Sequence, residues 1–288
     1  VCSANAYIDS FSIAEALSEG AQIVLAGRVS DPGLVLGPAI HEFNWSRDDY
    51  DKLATGTLAG HILECGAQCS GGNYTDWKNV PDLANIGYPI ASLSDSTTFT
   101  ISKNPASGGI INRYTIIEQV LYEMGNPNKY ISPDVVVDFT SFSIKELSKD
   151  KVEISSVKGY EATNTYKVSI NYFNGYKASG HLTISGPNAL EKSELTAKII
   201  WKRLKNAGVL FEDTLTEYLG FSSCHGTKIS EFKTQNNEIV LRLSVKDKDK
   251  NKIIRFGKEL APVITAGPPG VTGFSGGRPR PQAIIAFW

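Results

Sequence analysis

The sequence predicts an α/β fold in two parts: the remainder of a mostly parallel α/β sheet domain, followed by an α+β domain with an antiparallel sheet. Residues 10–19 carry apolar side chains at helical spacing and lead into a predicted strand at residues 22–26 with a continuous apolar run at residues 23–26, a succession typical of a doubly wound sheet. From residue 135 onward, short alternating segments are separated by turn residues. Two of these segments flank Asn174-Gly175, a strong hairpin signal.

The helices are predicted from periodicity and from their end signals. Gly20 and Gly208 close two of them, and Gly125-Asn126-Pro127 stops a third. The segment 53–69 is apolar nearly all round and rich in small residues, which predicts a helix buried against other elements or against another subunit. The predicted helical segments are 10–19, 53–69, 81–85, 110–124, 189–206 and 252–265.

The strands are predicted from short apolar or alternating runs between turn residues. The charged run 246–252 alternates in sign and predicts a solvated hairpin tip. The change of pattern places a domain boundary between residues 125 and 150, which gives an α/β domain at 1–130 and an α+β domain at 131–288. The predicted strands are 22–26, 89–91, 97–101, 135–140, 152–157, 166–172, 177–185, 216–221 and 238–245.

The composition is that of an ordinary globular protein. The 288 residues are 41% apolar, and 29 Lys and Arg balance 30 Asp and Glu. The near-neutral charge argues against nucleic acid or a membrane surface as a partner. No apolar stretch approaches eighteen residues, no signal peptide opens the chain, and four cysteines do not make a disulfide framework. We therefore expect reduced thiols and a cytoplasmic location.

Residues 21–68 hold most of the side chains that could carry chemistry, which predicts an enzyme-like cleft. Polar residues after a buried strand are where α/β folds place their sites. Arg28 and Asp31 follow the apolar run; they either pair as a structural clamp or let Arg28 bind a substrate carboxylate. The acid–base candidates are His41, Glu42, His61, Glu64 and, after a strand of the second domain, His225.

Each acid–base candidate also has a structural alternative. His41 and Glu42 follow a predicted turn at Gly37-Pro38 and could simply anchor a loop. His61 and Glu64 could form structural hydrogen bonds, and a single histidine at position 225 is more often structural.

His61, Cys65 and Cys69 are spaced so that a helix would stack them on one face. Zinc ligation is one reading of this spacing, and a Cys65 nucleophile with His61 as its base is another. The apolar helix favours plain burial of the thiols, and no metal site is predicted.

Two glycine-rich segments are candidate anion sites. Lys103, Gly108 and Gly109 lie in a loop that runs into a helix, where free N–H groups favour negative charge or serve only as a cap. The loop does not match a Walker-type nucleotide motif. Arg278 and Arg280 lie in the glycine- and proline-rich arm 267–281, which either closes over a phosphate-bearing ligand such as coenzyme A or packs on another subunit.

Several long motifs resemble those of the acyclic terpene utilisation family (AtuA-like proteins). They are GRVSDPGLVLGPAIHEF, GTLAGHILECGAQ, VPDLANIGYPIA, KNPASGG, EQVLYEMGNPNKYISPDVVVDF and GPPGVTGFSGGRPRP, in this order along nearly the whole chain. The resemblance implies pathways that degrade citronellol- and geraniol-like compounds as acyl-CoA thioesters. It also implies a further α/β portion before residue 1, so that residues 1–130 would be the C-terminal part of a larger Rossmann-like or flavodoxin-like unit.

The leading functional prediction is an enzyme of branched or acyclic terpenoid acyl-CoA catabolism with a hydratase- or lyase-like step. It expects a small-molecule carboxylate or coenzyme A thioester as substrate, and no cofactor is firmly predicted. We also expect a homo-oligomer, with a separate N-terminal polypeptide as a further partner. The alternative is a non-catalytic scaffold or assembly subunit whose 53–69 helix and 267–281 arm make the contacts between copies. A zinc protein is a third, weaker reading.

Overall fold

The computed structural model describes residues 1–221, 223–224, 226, 237–273 and 276–288. The chain forms two compact units. The N-terminal unit is Asn5–Ser169, and the C-terminal unit combines Val1–Ala4 with Ile170–Trp288. Compactness alone does not say which segments fold independently, so the division into domains 1–130 and 131–288 stays a prediction.

The helices agree with most of the predicted helical segments and add one more, α2. In chain order they are α1 (Phe11–Ser18), α2 (Gly33–Phe43), α3 (Tyr50–Glu64), α4 (Arg113–Leu121), α5 (Ala189–Asn206), α6 (Lys250–Glu259) and α7 (Val263–Ala266). None of the helices in the described ranges is long and apolar enough to span a bilayer.

The strands include most of the predicted ones, although their limits differ. In chain order they are β1 (Ser3–Ala6), β2 (Pro89–Ser92), β3 (Thr98–Lys103), β4 (Tyr130–Ile131), β5 (Val136–Asp138), β6 (Ser143–Ser148), β7 (Lys151–Ser155), β8 (Lys158–Tyr160), β9 (Val168–Ser185), β10 (Asp213–Leu219), β11 (Glu238–Asp247) and β12 (Gln282–Phe287).

The predicted mostly parallel sheet is wrong. The N-terminal unit contains an antiparallel sheet in the order β2-β3-β7-β6 and a smaller antiparallel sheet in the order β4-β5-β8. Within its described residues, parallel pairing is confined to the isolated bridges Ile8–Val29 and Ile86–Gly108. After α1 the chain returns beside Ile8, as an αβ succession requires, but the parallel pairing there consists of the single bridge to Val29.

The predicted strand at residues 22–26 is also wrong. These residues form no strand, and Ile23 and Leu25 are 89% and 98% exposed. An apolar run indicates that burial of the segment is favourable, but it does not indicate whether the surface that buries it belongs to the same chain.

Helix α2 replaces the turn predicted at Gly37-Pro38. Both residues lie inside the helix. A Cβ on Gly37 would lie 2.8 Å from Cβ of Ile13 in α1, so the glycine serves a close helix contact. The dipeptide that predicts a turn by composition is therefore used for packing.

Helix α3 is the buried helix that the sequence predicts, but it ends at Glu64 and a short 3-10 helix (Gly66–Ser70) follows. Residues 53–62 are all buried. A Cβ on Gly60 would lie 2.6 Å from Cα of Pro32, so its small size serves contacts within the unit and not contacts with another copy. Since the helix ends at Glu64, His61, Cys65 and Cys69 do not share one helical face.

The C-terminal unit is an antiparallel sheet in the order β1-β9-β11-β10, with β12 also paired to β9. Apolar residues of β9 and β11 pack with those of α5 and α6. The antiparallel α+β character of this part of the chain is confirmed. Its largest fully buried side chains are Phe256, Leu182, Ile184 and Ile200.

The hairpin predicted over Asn174-Gly175 is wrong, because β9 continues through both residues. Gly175 has φ +85°, and a Cβ there would lie 2.9 Å from the Asp247 carbonyl oxygen. β9 pairs with β11 from Tyr176 onward, on the far side of this irregular position. The left-handed conformation that glycine permits is used within a strand.

The predicted hairpin tip at residues 246–252 is a strand-to-helix connection instead. Asp249 accepts a hydrogen bond from Asn251 N and caps α6. Asp247 is buried, with Lys252 Nζ 2.8 Å from its carboxylate. In this segment, one of the alternating charges therefore caps a helix and two others form an ion pair.

The glycine- and proline-rich arm packs on its own chain where it is described. Thr272 N donates to Thr183 O at 2.8 Å, and Ser185 N donates to Gly270 O at 3.0 Å. These bonds cover part of the β9 edge, which would otherwise present unpaired backbone groups.

We expect Gly60→Ala to destabilise the protein. The new methyl group would overlap the Pro32 backbone, at a cost of about 1–3 kcal/mol, which outweighs a gain in helix propensity of about 1 kcal/mol. Urea unfolding measures the change. Gly125→Ala is the matched control, because nothing lies within 4 Å of its added Cβ. Equal stability of both variants would contradict the close contact at Gly60.

Candidate functional site

A cleft of about 580 Å³ lies in the N-terminal unit. It is formed by residues 27–31, the first turn of α2, the C-terminal end of α3 and Glu123. Its apolar wall consists of Val29, Leu34, Val35 and Leu63, and its polar side chains are Ser30, Arg28, Asp31, Glu64, Cys65 and Glu123. The structure thus brings together the predicted residues Arg28, Asp31 and Glu64.

Arg28 is held in place by two neighbouring side chains, but some of its N–H donors have no partner among the described residues. Its Nη2 lies 3.2 Å from Asp31 Oδ1 and donates to Tyr7 Oη at 2.9 Å, while the guanidinium stacks over the Tyr7 ring. Its Nε and Nη1 form no hydrogen bond with the described residues. The structural clamp therefore exists and still leaves donors for a ligand oxygen.

His61 and Glu64 form a close pair beside the cleft, in which His61 is buried and Glu64 lines the cleft. His61 is 2% exposed, and its Nε2 lies 3.2 Å from Val120 O. A carbonyl oxygen only accepts, so Nε2 carries the proton. Nδ1 then faces Glu64 Oε1 at 3.0 Å without a well-aligned hydrogen bond.

Aromatic rings enclose this pair. The His61 ring centroid lies 5.5 Å from that of Phe139 and 5.8 Å from that of Tyr130. Burial raises the pKa of Tyr130, and the negative charges of Glu64 and Asp31 raise it further. Tyr130 therefore keeps its proton within electrostatic range of both cleft carboxyl groups.

Asp134 fixes the loop that carries Arg28 and Asp31. Its Oδ1 accepts from Ser10 N at 2.7 Å, and its Oδ2 accepts from Ser10 Oγ at 2.9 Å and from Ser30 Oγ at 3.4 Å. Burial raises the pKa of the Asp134 carboxyl group, although these hydrogen bonds oppose the effect. One buried side chain thus connects the start of α1 with the cleft loop.

Glu123, Tyr130 and Asp134 have no counterpart among the residues proposed from the sequence. Glu123 lines the cleft and has φ +54°, a left-handed conformation that is uncommon outside glycine and often marks a functional site. All three residues lie in the motif EQVLYEMGNPNKYISPDVVVDF, which is the sequence signal that could have identified them. Tyr130 and Asp134 reach the site through tertiary contacts alone.

His41 and Glu42 are not among the residues that line the cleft. His41 Nδ1 lies 2.9 Å from Ser18 Oγ, which connects α2 to α1. Glu42 is exposed on α2. The geometry of His41 matches the loop- and helix-anchoring alternative, and a catalytic role for the two residues stays a prediction.

The 103–109 loop uses its polar groups within the fold. Lys103 Nζ is buried, donates to Ser107 O at 3.0 Å and lies 3.3 Å from Asp150 Oδ2. Gly108 N donates to Asn85 O, and Gly109 N donates to Pro81 O. These amides have no proton left for an anion, and α4 is capped by Asn112 and not by this loop, so an anion site here stays a prediction.

The remaining predicted residues belong to the C-terminal part of the chain. Arg278 and Arg280 line a separate pocket together with His181. His225 lies outside the described residues.

In the described parts of the chain, no group of three or more His, Cys, Asp or Glu side chains could hold a metal ion. Cys69 is buried, and burial raises the pKa of its thiol to about 12, so it is a poor nucleophile and a poor ligand. Cys65 is half-buried and lines the cleft.

A family model described as "Acyclic terpene utilisation family protein AtuA" matches residues 1–288. No curated protein and no solved structure gives a match to the chain.

Asp134 gives the protein a pH dependence of defined sign. Its folded pKa lies above the ordinary value of 3.8, so its contribution to stability is present below pH 3.8 and is lost as the pH rises through the folded pKa. We expect wild-type protein to lose stability relative to Asp134→Asn across that window, as measured by unfolding free energy against pH.

Asp51 supplies a control of opposite sign. Burial alone would raise its pKa, but Lys158 and the Gly159 N–H bring it below 3.8. Its contribution is therefore lost as the pH falls through the folded pKa, and Asp51→Asn should show the reverse trend. The same slope for both variants would contradict the role given to Asp134.

Proposed function

The chain belongs to the acyclic terpene utilisation family, and we propose that it is an enzyme of branched or acyclic terpenoid acyl-CoA catabolism that catalyses a hydratase- or lyase-like step. The observation that carries this proposal is the approach of His61 Nδ1 to within 3.0 Å of Glu64 Oε1, beside a cleft that Glu64 lines and that has an apolar wall. A positioned acid–base pair is what the addition or removal of water at an acyl chain requires.

The cleft lining fits a branched apolar chain that ends in a polar carbonyl group. Val29, Val35 and Leu63 provide an apolar wall for the branched part. The free Nε and Nη1 groups of Arg28 are placed to bind a carboxylate or thioester oxygen. The first turn of α2 adds the favourable end of a helix dipole.

The charges of the lining limit which part of the substrate enters. One arginine faces three acidic side chains, Asp31, Glu64 and Glu123. Such a lining repels the phosphates of coenzyme A. The acyl group therefore enters the cleft, and the nucleotide part of the thioester stays outside its lining.

In the hydration direction, Glu64 accepts a proton from water as the water oxygen bonds to the β-carbon of an α,β-unsaturated acyl group. The electron pair of the double bond moves to the α-carbon, which takes up a proton from the His61–Glu64 pair. The pair gains one proton and releases one, so its charge is restored. Elimination of water is the reverse sequence.

Glu64→Gln is expected to lower turnover of the coenzyme A thioester of geranic acid by about 100-fold or more, because the amide cannot exchange a proton. Mass spectrometry of the acyl product, which gains one water, measures the rate. Glu15→Gln removes the same charge from the exposed face of α1 and should leave turnover unchanged. Wild-type turnover in Glu64→Gln would exclude the proposed chemistry.

A second candidate function, an assembly subunit, has its own support in the exposed run at residues 22–26. Ile23 and Leu25 are almost fully exposed in a segment without charged residues. Exposed apolar segments of this kind mark interaction sites. A second copy of this chain, pairing the same segment around a twofold axis, would cover both runs at once.

Ile23→Asp combined with Leu25→Asp tests this assembly. If copies associate through the run, buried charge opposes the contact, and light scattering coupled to size exclusion should show a dimer for the wild type and a monomer for the variant. Leu210→Asp is the control, at a 65% exposed position in the C-terminal unit. A wild-type monomer at high protein concentration would exclude association of copies through this segment.

A further inference from the structure

We propose that the C-terminal unit contains a second binding site, which takes the phosphate groups of a small phosphate-bearing molecule between Arg278, Arg280 and His181. The pocket has a volume of about 680 Å³ and lies over the solvent-facing side of β9. Pockets of about 300–1,000 Å³ are the size that holds small-molecule ligands, so there is room for more than inorganic phosphate.

The side chains on this side of the sheet are polar because the strand alternates. Ala178 and Leu182 of β9 are buried, whereas Ser179 and His181 point the other way and line the pocket. His181 lies opposite Arg242 in the register of β9 and β11. The sheet thus provides a hydroxyl group and an imidazole beside the two arginines of the arm.

The pocket carries uncompensated positive charge. Arg278 and Arg280 have no ion-pair partner among the described residues, whereas Arg28, Arg47, Arg203, Arg242 and Arg255 each pair with a carboxylate. Among the described residues, the lining contains no acidic side chain.

The acid in register with Arg242 and His181, Glu217, is already engaged. Glu217 accepts from Arg242 Nε at 2.5 Å and from Arg242 Nη2 at 2.7 Å. Arg242 lowers the pKa of Glu217, with a smaller contribution from His181. Glu217 therefore stays paired with Arg242 and does not neutralise the arm.

The arm residue between the two arginines, Pro279, is held in place by close packing against two glycines. Pro279 packs against Gly180 of β9 and Gly257 of α6, where any side chain would collide with it. A Cβ on Gly257 would lie 2.6 Å from Pro279 O. The proline also restricts its own φ. Arg278 and Arg280 thus flank a fixed residue, which reduces the entropy lost when their guanidinium groups bind a ligand.

Phosphate is the ligand chemistry that this arrangement favours. Each guanidinium offers a planar pair of donors that matches two phosphate oxygens, and two of them together balance the charge of a phosphate dianion. The site does not depend on the chemistry of the cleft in the N-terminal unit.

Isothermal titration of the full chain with pyrophosphate and with adenosine 3′,5′-bisphosphate, at constant ionic strength, tests the site. Both are expected to bind the wild type, and the Arg278→Gln, Arg280→Gln double variant should bind about tenfold more weakly or worse. Arg113→Gln is the matched control, since Arg113 is exposed, its guanidinium lies over the Tyr114 ring, and that guanidinium has no ion-pair partner among the described residues.

The proposal is overturned if neither phosphate compound binds the wild type, if sodium sulfate binds as tightly, or if Arg113→Gln loses as much affinity as the double variant. Glu64→Gln should retain wild-type affinity for pyrophosphate. Loss of turnover and loss of phosphate binding can therefore be separated, and the failure of one proposal leaves the other standing.

Discussion

The contact between the Pro32 backbone and Gly60 is the constraint on which the N-terminal unit depends. Only a residue without a side chain lets the segment before α2 lie directly on α3. This contact brings Arg28 and Asp31, which precede α2, to the same cleft as Glu64 at the end of α3. Asp134 fixes the other side of that segment through Ser10 and Ser30. The candidate site is thus a by-product of close helix packing.

The acid–base chemistry proposed for the cleft depends on one histidine, His61, that is almost completely buried. Nε2 of His61 bonds to a backbone carbonyl oxygen, and Nδ1 faces Glu64. The rings of Tyr130 and Phe139 pack against the His61 ring. Glu64 is the member of the pair that lines the cleft. His61 is therefore the buried member of the pair, and Glu64, one helical turn later, is the accessible one.

The two units differ in how their unpaired backbone groups and apolar segments are covered. In the C-terminal unit, the arm follows the β9 edge and satisfies backbone groups of Thr183 and Ser185. In the N-terminal unit, the run at residues 22–26 is left without a strand partner, although the Ile8–Val29 bridge begins a parallel pairing next to it. This incomplete pairing is where an assembly of the protein would gain the most apolar burial.

The sequence by itself determined the family, most helices and the antiparallel C-terminal sheet, because periodicity and motifs are local properties. It could not determine which candidates meet. His61 and Glu64 share a helix turn and were predictable as a pair, whereas Glu123, Tyr130 and Asp134 reach the site only through long-range contacts. Gly37-Pro38 and Asn174-Gly175 carried turn signals, yet they lie in a helix and a strand. Glycine permits both a turn and a close contact, and only the tertiary structure decides which one is used.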